Sequence, residues 1–311
     1  MPELIRPAAR SVRTRVFDSA RWDGYQPRPD DILVATYSKC GTTWMQRIVG
    51  GLVFLTPEPM PFTGDISVWI DFRIATPLDE ALSKLEAQAH RRFLKAHLPF
   101  DALPIYDEVK YIHVARDGRD ALMSWHNHSN AFLPEVIATL DSIGLADETI
   151  GRPYPDRPVD PADEFHRWIT TGNAADECDG LPSTSYFRFE ASWWEARHRP
   201  NVLMVHYNDL KADLAGEMAS IAAFLDITVP DELMPRLVEA ARFEAMQRDG
   251  EALLPHAGRI FQDGHRRFLN KGTNNRWRGV FREDDLAQYW EKLDALPPDC
   301  AAWLEHGRAP H

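Results

Sequence analysis

Short apolar runs alternate along the chain with stretches in which apolar positions recur every three to four residues. In "ILVATYSKCGTTWMQRIVGGLVF", Ile32 to Phe54, a continuous apolar run meets a polar turn. Trp44/Met45, Ile48/Val49 and Leu52/Val53 then follow at four-residue intervals. That pattern predicts a strand, a tight turn and a helix with one apolar face. "YIHVARDGRDALMSWHNH" repeats it, with a strand at Tyr111–Ala115 and a helix from about Asp120. "NVLMVHYNDLKADLAGEMASIAAFL" repeats it again: Val202–Tyr207 reads as a strand, and Leu214, Met218, Ile221 and Leu225 form a helical stripe. "RFLKAHLP" adds a short strand. Strands alternating with helices predict an α/β fold, a central parallel sheet with helices on both faces. Ligands of such sheets sit at the carboxyl ends of the strands, where these turns and Lys95 and His97 would lie.

Between Ser129 and Pro161 the periodicity gives way to Pro134, Gly144, Gly151 and "GRPYPDRPVDP", which predicts loop. No shift in composition divides the chain, so residues 1–311 read as one domain, with 129–161 as a cap on it. "DDLAQYWEKLDALPPDCAAWLEHG" predicts amphipathic helices that pack the domain. Trp69, in "GDISVWIDF", suits either a pocket wall or the core.

Composition narrows the partners. Apolar residues make up 44% of the chain, enough for a sizeable core. The formal net charge is −12, which disfavours nucleic acid or an anionic membrane as partner. An anionic ligand would need basic residues gathered in a cleft. Cys40, Cys178 and Cys300 are scattered and lack metal-ligand or disulfide spacing, so a reduced, cytoplasmic setting is expected. No apolar run reaches membrane-spanning length. "MPELIRPAARSVRTRV" lacks the apolar core of a secretory signal and reads as a solvated arm. His126 and His128 in "WHNH" have no further ligands in sequence and read as a polar helix face; no metal is expected.

The turns carry the chemistry. A helix N-terminus offers unpaired N–H groups and partial positive charge. At "SKCGTTW", Gly41 lets the backbone approach closely, Thr42 and Thr43 add hydroxyls, and Lys39 adds a full charge. A nucleoside-triphosphate loop would place its lysine after the last glycine; here the lysine precedes it and the loop is shorter. Such a loop suits one phosphate-like group. Arg116, at a strand end, can make a bidentate phosphate contact, and Ser124 follows two helical turns later.

Taken together, these segments resemble the cytosolic-type sulfotransferase family. "YSKCGTTW" resembles its 5′-phosphosulfate loop, Y-P-K-S-G-T-T-W, and "VARDGRDALMS" its 3′-phosphate strand and helix. "KAHLP" is similar to the K-T-H-L-P segment that carries the catalytic histidine. "SWWEARHRPNVLMVHYNDLK" and "RFLNKGTNNRWRGVF" resemble two later blocks, in family order. The wording of "QAHRRFLKAHLP" and "AWLEHGR" is similar to bacterial glycolipid sulfotransferases.

The resemblance implies the donor 3′-phosphoadenosine 5′-phosphosulfate (PAPS), the product PAP, and a sulfotransferase fold like that of the P-loop nucleotide enzymes. It implies that Lys39, Cys40, Gly41, Thr42, Thr43 and Trp44 wrap the 5′ end. Arg116 and Ser124 would take the 3′-phosphate, Tyr207 would reach the base, and Asn270, Lys271 and Gly272 would close over the site. His97 would be the general base, Lys39 would stabilise the leaving phosphate, and Lys95 would support the sulfuryl oxygens. Lys95, His97 and Trp69 would face the acceptor hydroxyl of a phenol, alcohol, steroid or glycolipid. Cys40 and Asn270 depart from the family's serine and arginine, and Arg276 or Arg278 could replace the lost arginine. A P-loop-type kinase and a non-catalytic PAP- or PAPS-binding protein are the alternatives.

Overall fold

The computed structural model describes residues 1–62, 65–74, 76–171 and 185–308, so Cys178 lies outside the described residues. Four strands, β1 (Ile32–Thr36), β2 (Phe93–Ala96), β3 (Lys110–Ala115) and β4 (Val202–His206), form one parallel sheet in the order β2-β1-β3-β4. Every residue of β1 is buried. That is why its sequence is continuously apolar rather than alternating: helices cover both faces.

The two faces hold separate cores. On one, Ile32, Val34, Ile112, Val114 and Val205 pack against helix α1 (Thr42–Phe54) and the helices Leu214–Phe224 and Met234–Ala241. On the other, Leu33, Ala35, Tyr111 and Val202 meet Phe165, Trp168, Phe189 and Trp193, with Tyr289 and Trp303 of the C-terminal helices behind them. Because all four strands run the same way, the turns after them open on one edge.

Three elements differ from the sequence reading, two of them through a side-chain cap. Helix α2 spans Gly118–Ser129, starting before Asp120, because the Asp117 carboxylate accepts the Arg119 N–H at 2.9 Å. Tyr207 opens a helix rather than ending β4: the His206 imidazole accepts the Asn208 N–H at 3.2 Å. Within the expected loop 129–161 stands helix α3 (Pro134–Ala146). Pro134 sits in its first turn, where a missing N–H costs nothing.

The N-terminal arm is no solvated strand of charge. Val12, Arg15 and Phe17 are buried. Arg15 donates to the carbonyls of Leu140 (2.6 Å), Arg152 (3.1 Å) and Pro153 (3.0 Å). A Cβ on residue 144 would stand 1.5 Å from the Arg15 guanidinium, so Gly144 is the residue that admits it. Arg13 and Arg73 both pair with Asp147, at 2.9 and 2.6 Å. The arm thereby fixes α3 over the edge of the sheet where the turns open.

Candidate active site

At that edge lies a cavity of about 890 Å³. The β1–α1 turn forms one end of it. Lys39 (φ 70°) and Gly41 (φ 111°) both take left-handed backbone, which wraps the turn tightly around the helix start. A side chain at Gly41 would be strained in that conformation and would meet the Tyr207 ring at 3.1 Å. No side chain caps α1, so the first-turn N–H groups of Thr42 and Thr43 carry the positive end of the helix dipole. The Thr42 and Thr36 hydroxyls bond each other at 2.5 Å.

Lys39, Gly41, Thr42, Thr43, Trp44, Arg116, Ser124, Tyr207, Asn270, Lys271 and Gly272 all line the cavity, as do Trp69, Lys95 and His97. Cys40 does not. Its side chain is fully buried in the core, where burial and Glu190 push the thiol well above its ordinary value. It contributes backbone alone, and no reactive thiolate.

Charge is concentrated here as the acidic chain requires. Lys39, Lys95, Arg116, Lys211, Lys271 and Arg276 line the cavity, against one carboxylate among the described lining residues, the exposed Glu244. Burial, then the charges of Arg116 and Lys95, pushes Lys39 down to about 7. Burial pushes Lys95 down to about 8, with Asp71 opposing. Arg116 stacks over Tyr207 at 4.2 Å and donates to Asn274 Oδ1 at 2.8 Å, while its buried Nε has no partner among the described residues.

His97 follows β2 directly. Its Nδ1 lies 2.9 Å from the Thr36 carbonyl, which can only accept, so Nδ1 carries the proton and Nε2 the lone pair. Burial, then the neighbouring Lys95, pushes the imidazole down to about 3, so it is neutral at physiological pH. Asp71 Oδ2 accepts the His97 backbone N–H at 3.1 Å and the Trp69 indole N–H at 2.9 Å. The Lys95 ammonium sits 4.0 Å above the Trp69 ring. Trp69 is therefore a wall of the cavity, held from behind by a buried carboxylate.

A profile of the sulfotransferase domain family matches residues 29–294. The glycolipid sulfotransferase of Mycobacterium tuberculosis is 33% identical over 308 residues, covering 95% of this chain and 94% of that protein. Sulfotransferase 1B1 of Canis lupus familiaris is 27% identical over 280 residues, covering 88% and 83%. The chain belongs to the sulfotransferase family. Two solved structures share the sulfotransferase fold: retinol dehydratase in complex with androsterone and inactive cofactor PAP (TM-score 0.69, 22% identity, 94% of this chain, 86% of that one), and mouse sulfotransferase SULT7A1 complexed with PAP (0.65, 19%, 92% and 91%).

Arg276 and Arg278, the two arginines expected to stand in for the one that Asn270 replaces, sit differently. Arg276 lines the cavity; its buried Nε has no partner among the described residues, and burial together with Arg116 lowers its guanidinium. Arg278 instead lies exposed over Trp277 and donates to Asn275 Oδ1 at 3.1 Å.

His128 corrects the reading of "WHNH" as a polar face. Its ring packs against Trp125, Phe132, Phe261 and Phe268, with centroids 4.7–5.6 Å away, and its Nδ1 lies 3.1 Å from Lys39 Nζ. The available signal was its spacing, one helical turn beyond Ser124 on the same face. Asp71 was also missed; only its nearness to Trp69 hinted at it.

Elsewhere the lining is largely apolar, with a few polar side chains such as Thr14, Thr139 and His256. Phe17, Phe72, Val136, Leu140, Tyr154 and Phe261 wall the side under α3. No helix among the described residues is long and apolar enough to cross a membrane.

Proposed function

We propose that this sulfotransferase moves a sulfuryl group from PAPS to a hydroxyl of an apolar small-molecule or glycolipid acceptor, with His97 as general base. The observation that carries this is one cavity with two characters: a cationic end at the uncapped start of α1, and an apolar end under α3. The names of the relatives agree with it. The mycobacterial relative is a glycolipid sulfotransferase, and both solved structures hold PAP.

The residues present fit such a donor. Two buried guanidinium Nε groups, of Arg116 and Arg276, have no partner among the described residues, a costly state that a phosphate would relieve. Arg116, Arg276, Ser124, Lys271 and Gly272 would hold the 3′-phosphate. The Lys39–Trp44 segment would hold the 5′ end, and Trp44 and Tyr207, edge to face at 5.2 Å, would flank the base. Gly272 is needed there, since its φ is 62° and a Cβ would meet the Phe243 ring at 2.8 Å.

When bound, PAPS supplies a sulfuryl group activated by a phosphate leaving group. His97 accepts the hydroxyl proton at Nε2, while the Thr36 carbonyl holds its tautomer. Its low basicity comes from burial and then the adjacent lysines, and anionic charge beside those lysines would raise it. Lys39 would supply positive charge where negative charge grows, and Lys95 would support the sulfuryl oxygens. The apolar wall keeps water from competing as acceptor.

The test is transfer of labelled sulfuryl from PAPS over a panel of phenols, steroids, aliphatic alcohols and glycolipids. Transfer to a hydroxyl is expected without added metal. Binding of PAP with no transfer to any member would favour a binding protein, and phosphoryl transfer from ATP with magnesium would favour a kinase.

A further inference from the structure

We propose that His128 is a positioning residue for Lys39, holding its ammonium at the donor end of the cavity through an N–H···N hydrogen bond. This rests on the sulfotransferase reading for its consequence in catalysis, but the contact itself lies within the chain. Lys39 Nζ stands 3.1 Å from His128 Nδ1 and 4.6 Å from the centroid of the Phe268 ring. Among the described residues no carboxylate pairs with this lysine. The groups facing it are Arg116 from the end of β3, Lys95 from β2, His97 just after β2, and Cys40 beside it. Of these, the two cations repel it, and the thiol is held neutral. An imidazole lone pair is thus what this surrounding offers to a half-buried ammonium.

His128 is suited to that part. Burial, with Lys39, His97 and Lys95 around it, drives its imidazole well below the ordinary value, so it stays neutral. A neutral ring that accepts at Nδ1 carries its proton at Nε2. It therefore has no second lone pair with which to act as a base, the reverse of His97. Its aromatic cage of Phe132, Phe261 and Phe268 fixes the ring plane, so the lone pair is aimed.

Two variants separate positioning from packing. His128→Phe fills the cage but offers no acceptor. His128→Asn places an acceptor near the Nδ1 position in a smaller side chain. The readout is the titration of Lys39 in the empty protein, followed by NMR of ¹³C-labelled lysines and assigned with Lys39→Met. Removing the acceptor destabilises the ammonium, so the midpoint should fall by about one pH unit in His128→Phe and return in His128→Asn, the scale of one charged hydrogen bond. With PAPS and 2-naphthol, kcat should fall roughly ten- to a hundredfold in His128→Phe and largely recover in His128→Asn, at little change in acceptor KM. An unchanged Lys39 midpoint in His128→Phe overturns the proposal. So does an equal shift in both variants, which would make His128 a packing residue. Failure of the wild type to bind PAP would instead overturn the functional reading, and the NMR result would still decide the role of His128.

Discussion

Asp71 holds His97 by its backbone. Its Oδ2 accepts the His97 N–H at 3.1 Å and the Trp69 indole at 2.9 Å, and Oδ1 takes the Trp22 indole at 3.3 Å. A buried carboxylate with three donors and the Lys95 charge nearby is matched to its surroundings, although burial raises it above the usual range. Asparagine would turn an NH₂ toward one of those donors. Asp71→Asn should therefore cost about 1–3 kcal/mol in denaturant unfolding and lower kcat. Unchanged stability and turnover would show that the carboxylate is incidental.

The cavity's cations predict a proton count. Lys39 and Lys95 lie at about 7 and about 8 in the empty protein, and bound phosphate groups would keep both charged. At pH 8, PAP binding should take up roughly one to one and a half protons, and at pH 6 close to none. Calorimetry in buffers of different ionisation enthalpy measures this. The same depressed values make the empty protein gain stability as pH rises from about 7 toward 10, because the unfolded chain holds these protons longer.

The unpartnered Arg276 Nε in the cavity wall predicts which arginine serves in place of Asn270. Arg276→Ala should weaken PAP binding by about 1.5–3 kcal/mol, the worth of a charged hydrogen bond. Arg278→Ala should leave it nearly unchanged, and Asn270→Arg should add little. A large gain from Asn270→Arg with no loss from Arg276→Ala would reverse the assignment.

Arg15 ties the N-terminal arm to α3 through three carbonyls, which predicts a defect confined to the acceptor side. Arg15→Ala should loosen the Leu140 wall and raise acceptor KM while PAP affinity holds. Equal loss of both would mean that the whole cavity depends on the arm.

How far the sequence reveals this depends on how local each cause is. The strand-turn-helix units were legible because continuous apolar runs and four-residue periodicity are local. The anion turn was legible because Lys39, Gly41 and the two threonines are adjacent. Helix α3 was not: Pro134 and Gly144 read as breakers, yet one opens the helix and the other makes room for Arg15, more than a hundred residues away. His128 looked solvated because Phe261 and Phe268, which enclose it, arrive from a distant segment. The contacts of Asp71 with His97 and of Arg13 with Asp147 likewise join segments far apart in the chain.

The most direct test of the account is the transfer rate of His97→Ala with labelled PAPS, measured beside its affinity for PAP. Because His97 is neutral, with its lone pair at Nε2, kcat for aliphatic alcohols should fall roughly 10²–10⁴-fold. The loss should shrink for acidic phenols, which are already partly ionised, and PAP affinity should stay near the wild-type value. Full activity of a folded His97→Ala protein towards aliphatic alcohols would contradict the account.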